Sequence, residues 1–227
     1  MAGRTVLVTG GTGGLGSAVT AAFVDDGWRV VVPVRATGPA PAPGVIAITA
    51  DLLEPEAVAS AVATAAADPA APLRALVNLV GGYAGGGLVH ETPVADFDRM
   101  LAVNLRPTYL VTREALPHLI AAGGGAIVCV SSRAALSPFA GAAGYATAKA
   151  AVLAFANAVA VEYRSAGVRC NTVVPSVIDT PANRARRPGA DPSAWVPPEQ
   201  IARVIRFLAS DDSAPTSGAT VPVYGRA

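Results

Sequence analysis

An α/β fold, a doubly wound parallel sheet of about seven strands in one domain, is predicted by three observations. Short apolar, β-branched runs alternate with helical stretches along all 227 residues, the order that builds parallel sheets through crossover helices. Most of these runs are solidly apolar, as strands buried on both faces require. Hydrophobic residues make up 52% of the chain and charged residues only 15%, enough to cover both faces of a sheet around one substantial core.

The elements follow in order. Residues 4–9 hold the β-branched run Thr5 to Val8 and predict the first strand. A glycine-rich turn and a helical spacing over 15–26 come next, then a strand over 29–34. The Pro/Gly stretch 36–44 stands where a helix would otherwise return, before a strand at 45–49 and a helix at 54–67. A strand at 74–80 leads into an apolar helix over 93–121. Strands at 126–131, 168–174 and 219–223 alternate with helices at 144–165 and 198–209. No shift in composition marks a second domain, so residues 1–227 read as one.

Between the first strand and the first helix stands Thr9-Gly10-Gly11-Thr12-Gly13-Gly14-Leu15-Gly16. Glycines permit positive φ and let a backbone approach a phosphate with no Cβ in the way. The helix start offers free N–H groups and the positive end of its dipole to a pyrophosphate. Strand, glycine turn and helix in this order read as a dinucleotide site, with Gly10, Thr12, Gly14, Leu15 and Gly16 as cofactor-binding candidates.

Tyr145 and Lys149 stand four apart and so share one helix face. A phenol ionises near pH ~10, and a neighbouring ammonium lowers that value. The pair makes a proton donor for a carbonyl oxygen or a base for an alcohol. Ser132 ends the apolar run upstream and can hold the same oxygen; Ser131 is the competing candidate. Successive residues on a strand end point oppositely, so only one of the two serines faces the site. Asn104 lies inside an apolar helical stretch, where its side chain competes with backbone bonds, and Pro107 follows closely.

Taken together, Thr9-Gly10-x-x-x-Gly14-x-Gly16, Asn78, Asn104, Ser132, Tyr145 and Lys149 resemble the short-chain dehydrogenase/reductase family. The likeness to its TGxxxGxG and YxxxK spacings extends from Val6 to Val223. It implies a Rossmann-type fold, a nicotinamide cofactor, and Tyr145 as general acid in reduction and general base in oxidation. The family spacing to the tyrosine selects Ser132. Lys149 gains a second task, bonding the nicotinamide ribose, so Tyr145 and Lys149 count among the cofactor-binding residues as well. Asn104 is assigned a kink and an ordered water in a proton relay to Lys149. Asn78-Leu79-Val80-Gly81 stands where the family has Asn-Asn-Ala-Gly, with Asn78 steadying the central strand and Gly81 admitting the adenosine ribose. Asp51-Leu52 falls where the family places an acid near the adenine amino group; a helix N-cap is the alternative. Pro175, Val177 and Thr180 match the segment that meets the nicotinamide carboxamide, with Ser176 replacing a glycine.

An NAD-selective site wants an acid at the end of the second strand for the ribose 2′-hydroxyl. The chain has Val32-Pro33-Val34-Arg35 there, and Arg35 suits a 2′-phosphate. NADP(H) is therefore expected over NAD(H), with Arg4 and Arg29 as secondary helpers. Residues 181–198 carry Arg184, Arg186, Arg187 and Trp195 among prolines. They are expected to form an irregular, mobile segment over the substrate, with Trp195 as its flap. Two loops, Gly81 to Gly86 and Asp179 to Arg184 with Ala190 to Trp195, are also similar to dihydropteridine reductases. A quinonoid dihydropteridine-type reductase is thus the enzymatic alternative, although that group lacks the serine and uses an acid for NADH. A nucleotide-sensing regulatory protein is the non-enzymatic one, and such a protein would be expected to lose Tyr145 or Lys149.

A net charge of +1 and an aromatic content of 5% offer neither field nor stacking platforms for nucleic acid. Cys129 and Cys170 sit in apolar runs and read as buried free thiols, with neither a disulfide framework nor metal spacing. No apolar stretch of about 18 residues runs free of Gly, Pro and charge, so no membrane partner is expected. No targeting signal precedes the first strand, so a cytoplasmic enzyme acting on a small-molecule carbonyl or alcohol is expected. Helices 93–121 and 144–165 are apolar on most faces. In the resembling family such helices pair across a two-fold axis, implying a homodimer or homotetramer.

Overall fold

A computed structural model describes residues 3–39 and 41–226. Its single sheet has seven parallel strands in the order β3-β2-β1-β4-β5-β6-β7. They are β1 (Thr5–Thr9), β2 (Arg29–Val34), β3 (Val45–Thr49), β4 (Leu73–Asn78), β5 (Gly125–Val130), β6 (Val168–Pro175) and β7 (Thr220–Val223). The winding reverses between β1 and β4, and their carboxyl ends open a crevice at that switch point. Register brings Thr9, Asn78, Cys129 and Thr172 into line across β1, β4, β5 and β6.

Alternation along the central strands feeds two cores. Leu7, Val31, Leu76, Ile127 and Cys170 pack with α2 (Pro55–Ala66), α4 (Arg106–Ala121) and α5 (Ala143–Glu162). Val6, Val8, Val30, Val77, Val128 and Val173 face the other way, onto α1 (Gly16–Asp25) and α7 (Pro198–Ala209). The solid apolar runs of the sequence are therefore strands read from both faces at once. Both cysteines are free and buried.

The long helix expected over 93–121 is instead two, α3 (Val94–Asn104) and α4, meeting at Leu105. Pro107 has no N–H to continue the ladder. At the join, Asn104 turns its amide to Met100 O at 2.9 Å and to the loop after β4. The 36–44 stretch forms turns, with Gly38 N–H donating to Arg35 O; Ala40 lies outside the described residues. The 181–198 region is more regular than expected. Pro181 sits at the first helical position, where its missing N–H costs nothing, and α6 (Pro181–Arg186) forms with the Thr180 hydroxyl accepting from Asn183 N. Trp195 is buried and Val196 bridges to Ile178, so this end of the segment is pinned and Trp195 is no free flap.

Among the described residues, α5 is long and apolar enough to cross a membrane by length and composition, although Gly144, Lys149 and Glu162 fall within it. In this fold one face of α5 carries Lys149, Val152, Ala156 and Val159 inward, against α3 and β6. Val161 and, on α4, Tyr109 remain exposed, and Tyr109 meets Phe155 edge-on across the two helices.

Candidate active site

The glycine turn closes tightly between β1 and α1. Gly13 N–H donates to Gly10 O, and Ser17 N–H donates to Gly13 O. Gly10 has φ +68°, and a Cβ on Gly16 would collide with the Gly10 carbonyl, so the turn admits no side chain at either place. Among the described residues, the N–H groups of Thr12, Gly14 and Leu15 bond no backbone carbonyl. Donors left over at a helix start, beside backbone that a Cβ would fill, fit a pyrophosphate.

A cleft of ≈490 Å³ runs from this turn across the ends of β2, β3 and β4. It is lined by six of the residues expected from sequence: Gly10, Thr12, Arg35, Asp51, Leu52 and Gly81. Arg35 is exposed at its rim. Asp51 accepts from Leu53 N–H at 2.9 Å; it makes a local turn, while Glu54 occupies the N-cap of α2. Arg4 and Arg29, expected as helpers, lie at the opposite ends of their strands. Arg4 pairs with Asp26, and Arg29 donates to Ala65 O. Arg4 there borders a second cleft, of ≈580 Å³, together with Arg74 and Arg169. Arg74 and Arg169 spend their donors on the carbonyls of Ala122, Leu208 and Ser210. That cleft is larger but sits at the wrong end of the sheet for the switch-point chemistry.

Ser132 follows the end of β5, and Tyr145 and Lys149 stand one turn apart on α5. Ser132 has extended backbone, and its oxygen accepts from Ala134 N–H at 3.2 Å, leaving its O–H to donate. The Ser132 hydroxyl lies close enough to the Tyr145 phenol to favour its ionised form. Ser131 points the other way, buried, and donates to the Lys149 carbonyl at 2.7 Å. The alternation expected at the strand end is therefore what the two serines show, and Ser131 fastens α5 to β5.

Burial lifts the Tyr145 phenol above its ordinary value, the Ser132 hydroxyl opposes that, and Tyr83 adds to it. The expected lowering by Lys149 is not found. The Lys149 ammonium donates to Val130 O at 3.1 Å, because its stem runs under the end of β5. Burial pulls this ammonium down to about 8, against a small opposing effect of Cys129.

Asn104 braces the loop beneath. Its amide donates to Gly82 O, and its Oδ1 accepts from Gly82 N–H. Gly81 lies so close that a Cβ there would come within 3.0 Å of Lys149 Nζ. Asn78 is buried below, donating to Thr112 Oγ1 at 3.1 Å, while its own Oδ1 meets no donor. Pro175 ends β6, and Ser176 donates to Tyr224 O. No non-glycine residue among those described has positive φ, so Ser176 in the glycine place imposes no strain. Val177 O accepts from Val196 N–H, and the Thr180 side chain rests against Gly14.

Two aromatic residues of the site were not read from the sequence. Tyr83 meets Tyr145 edge-on at 5.1 Å, and Phe139 lies 6.3 Å from Tyr83. An aromatic two residues after Gly81, in a loop otherwise of small residues, was the available signal.

Residues 4–191 match the family model described as short chain dehydrogenase. The chain is 34% identical to 2-(R)-hydroxypropyl-CoM dehydrogenase of Xanthobacter autotrophicus, over 98% of this chain and 97% of that one. It is 32% identical to the 3-oxoacyl-[acyl-carrier-protein] reductase of Mycobacterium bovis, over 98% and 92% respectively. Among solved structures it matches ElxO with NADP bound at a TM-score of 0.90 and 26% identity, covering 98% of both chains. The chain belongs to the short-chain dehydrogenase family and is an oxidoreductase.

Proposed function

We propose that this short-chain dehydrogenase interconverts a small-molecule carbonyl and its alcohol with NADP(H), Tyr145 carrying the proton. The Ser132 hydroxyl close to the Tyr145 phenol, with Lys149 on the same helix and its Nζ beside Gly81, a residue that lines the cleft from the glycine turn, supports this reading. The free N–H groups of Thr12, Gly14 and Leu15 would hold the pyrophosphate, and Pro175, Val177 and Thr180 the nicotinamide end. A bound dihydronicotinamide supplies a hydride to the carbonyl carbon. Ser132 donates to the carbonyl oxygen and fixes it beside the phenol. Burial keeps the phenol protonated near neutral pH, so Tyr145 can give its proton to that oxygen as charge develops there. In the reverse direction the phenol must first release its proton to solvent, and the phenolate oxygen then takes the alcohol proton, a step that the raised value disfavours near neutral pH and favours as pH rises. The experiment that tests this reading is a panel of carbonyls with NADPH and NADH, followed by nicotinamide absorbance; inertness across the panel rejects it.

Cofactor preference rests on Arg35, exposed at the rim with no acid on Val34 to favour a free ribose hydroxyl. Isothermal titration should show tighter binding of NADPH than of NADH. Arg35→Ala should weaken NADPH about tenfold, the scale of charge-assisted bonds to one phosphate, and leave NADH nearly unaffected. Tighter NADH binding to the unmodified chain reverses the preference.

Self-association follows from the exposed Tyr109 and Val161 on α4 and α5. These helices leave apolar surface that the sheet does not cover, and a two-fold pairing buries it. Light scattering at micromolar concentration should give a dimer or tetramer; a mass near 22.6 kDa excludes both.

The segment from α6 to Ala194 covers the substrate in this reading. It is pinned at both ends, by Thr180 and by Val196, and α6 is tied back to the residue before its N-cap by a bidentate Arg184–Asp179 pair at 2.6 and 2.8 Å. That pair holds the Asp179 carboxyl below its ordinary value. Limited tryptic digestion should cut after Arg186 and Arg187, more slowly once NADPH and substrate are added. Equal cutting under both conditions makes the segment a surface connector.

A further inference from the structure

Two loops meet over the phenol. The loop after β4 carries Tyr83, and the loop between β5 and α5 carries Phe139. They are latched by Gly86 N–H donating to Gly141 O at 2.8 Å. Gly141 has φ +78°, and a Cβ on Gly85 would strike the Gly141 carbonyl, so the two backbones lie in contact. The latch fixes two rings beside the proton donor. Tyr83 stands at 88° to the Tyr145 ring, centroids 5.1 Å apart, and Phe139 lies 6.3 Å beyond at a tilt of 41°. Tyr83 and Phe139 remain 37% and 48% exposed, as a core aromatic would not be.

We propose that Tyr83 and Phe139 form a substrate wall that selects carbonyls attached to an aromatic ring; the inference rests on the carbonyl-reducing role of Tyr145. The Tyr83 edge-on contact already occupies one side of the phenol, so a substrate whose oxygen reaches Tyr145 and Ser132 must lay its body along the remaining ring faces. The Tyr83 and Phe139 ring centroids lie 6.3 Å apart with planes inclined at 41°. Partly exposed rings so placed offer a flat substrate ring offset or edge contacts at 4.5–7 Å between centroids. A flexible alkyl chain gains less there, because it has no quadrupole to match and more rotamers to lose. No charged side chain belongs to this aromatic triad, so the wall selects by shape and ring electrostatics.

The test compares acetophenone with butanone, NADPH as reductant, in unmodified protein and in Tyr83→Phe, Tyr83→Leu and Phe139→Leu. The unmodified protein should favour acetophenone in kcat/KM by about tenfold or more, on the scale of one to two aromatic contacts. Tyr83→Leu and Phe139→Leu should each lower that ratio severalfold through the acetophenone KM, and Tyr83→Phe should preserve it. Equal loss on both ketones in the leucine variants overturns the proposal and leaves Tyr83 as a support for the Tyr145 ring. A preference for butanone in the unmodified protein also overturns it. If neither ketone is reduced, the redox reading is decided by the wider carbonyl panel. The wall is then judged by saturation-transfer NMR of acetophenone on NADPH-loaded protein: ring signals lost in both leucine variants support it, and unchanged signals reject it.

Discussion

Tyr145→Phe loses turnover by about 10²–10⁴-fold, the usual share of acid–base catalysis, and keeps its fold and its affinity for NADPH. The phenol oxygen is the proton-transferring atom of the proposed reaction, and phenylalanine removes it alone. The ring that packs edge-on against Tyr83 stays in place, as does the α5 turn that Ser131 ties to β5. Ser132 retains its bond from Ala134 N–H and can still hold a carbonyl oxygen, so substrate binding is weakened less than the rate. Steady-state kcat with NADPH, beside titration of NADPH into the same variant, separates the two effects. Near-normal turnover would move the proton to another group, with Ser132 the first candidate.

Lys149→Met combines a large loss of rate with a gain in stability. The ammonium is buried, bonded to one carbonyl, and paired with no carboxylate among the described residues. Its pKa falls from 10.5 to about 8, on the order of 3 kcal/mol of unfavourable burial. Methionine removes that penalty but leaves Val130 O without a donor, a cost of about 1 kcal/mol. The balance, about 2 kcal/mol, corresponds to roughly 5 °C in Tm for a chain of this size. The sign with pH follows from the depressed value. Below about 8 the folded state carries the buried charge and the penalty is fully present. Between about 8 and 10.5 the folded state releases its proton before the unfolded chain does, and the penalty fades. Scanning calorimetry should therefore show the variant melting above the unmodified protein near neutral pH, the gap narrowing through this window. A variant that melts lower near neutral pH would mean the ammonium is a net structural bond. Reductase assays on the same samples should show most activity gone, a position where function is kept at the expense of stability.

Much of this was legible in the sequence because the signals were local. Solid apolar runs identify strands buried on two faces, and the sheet has the expected seven. The glycine turn, the Ser131/Ser132 alternation and the Tyr145/Lys149 spacing each depend on residues close in the chain, and the structure keeps each local arrangement. What was misread depends on contacts between distant segments. The kink assigned to Asn104 within 93–121 is a full break between two helices, and Gly82, the partner that Asn104 bonds there, is one that spacing along one helix does not reveal. Lys149 turns to Val130 rather than to Tyr145 because a strand end lies above it. Trp195, among prolines and arginines, reads as a movable flap, yet Val196 beside it pairs with Ile178 and Trp195 is buried. Arg4 and Arg29 are near Arg35 in a list of cations and at the far end of the sheet in space.

The Thr180 side chain fills the space where a Cβ on Gly14 would stand, and so joins the glycine turn to the start of α6. Thr180 also supplies the hydroxyl that starts α6. Under the proposed reading, a nucleotide settling on the glycine turn would press on the residue from which the covering segment begins. The expected kinetic consequence is an ordered sequence: nucleotide first, the carbonyl or alcohol second, and the nucleotide leaving last. Product-inhibition patterns would display it as competition between the two nucleotide forms alone, and Thr180→Gly, by removing the shared side chain, would let the two ligands arrive in either order.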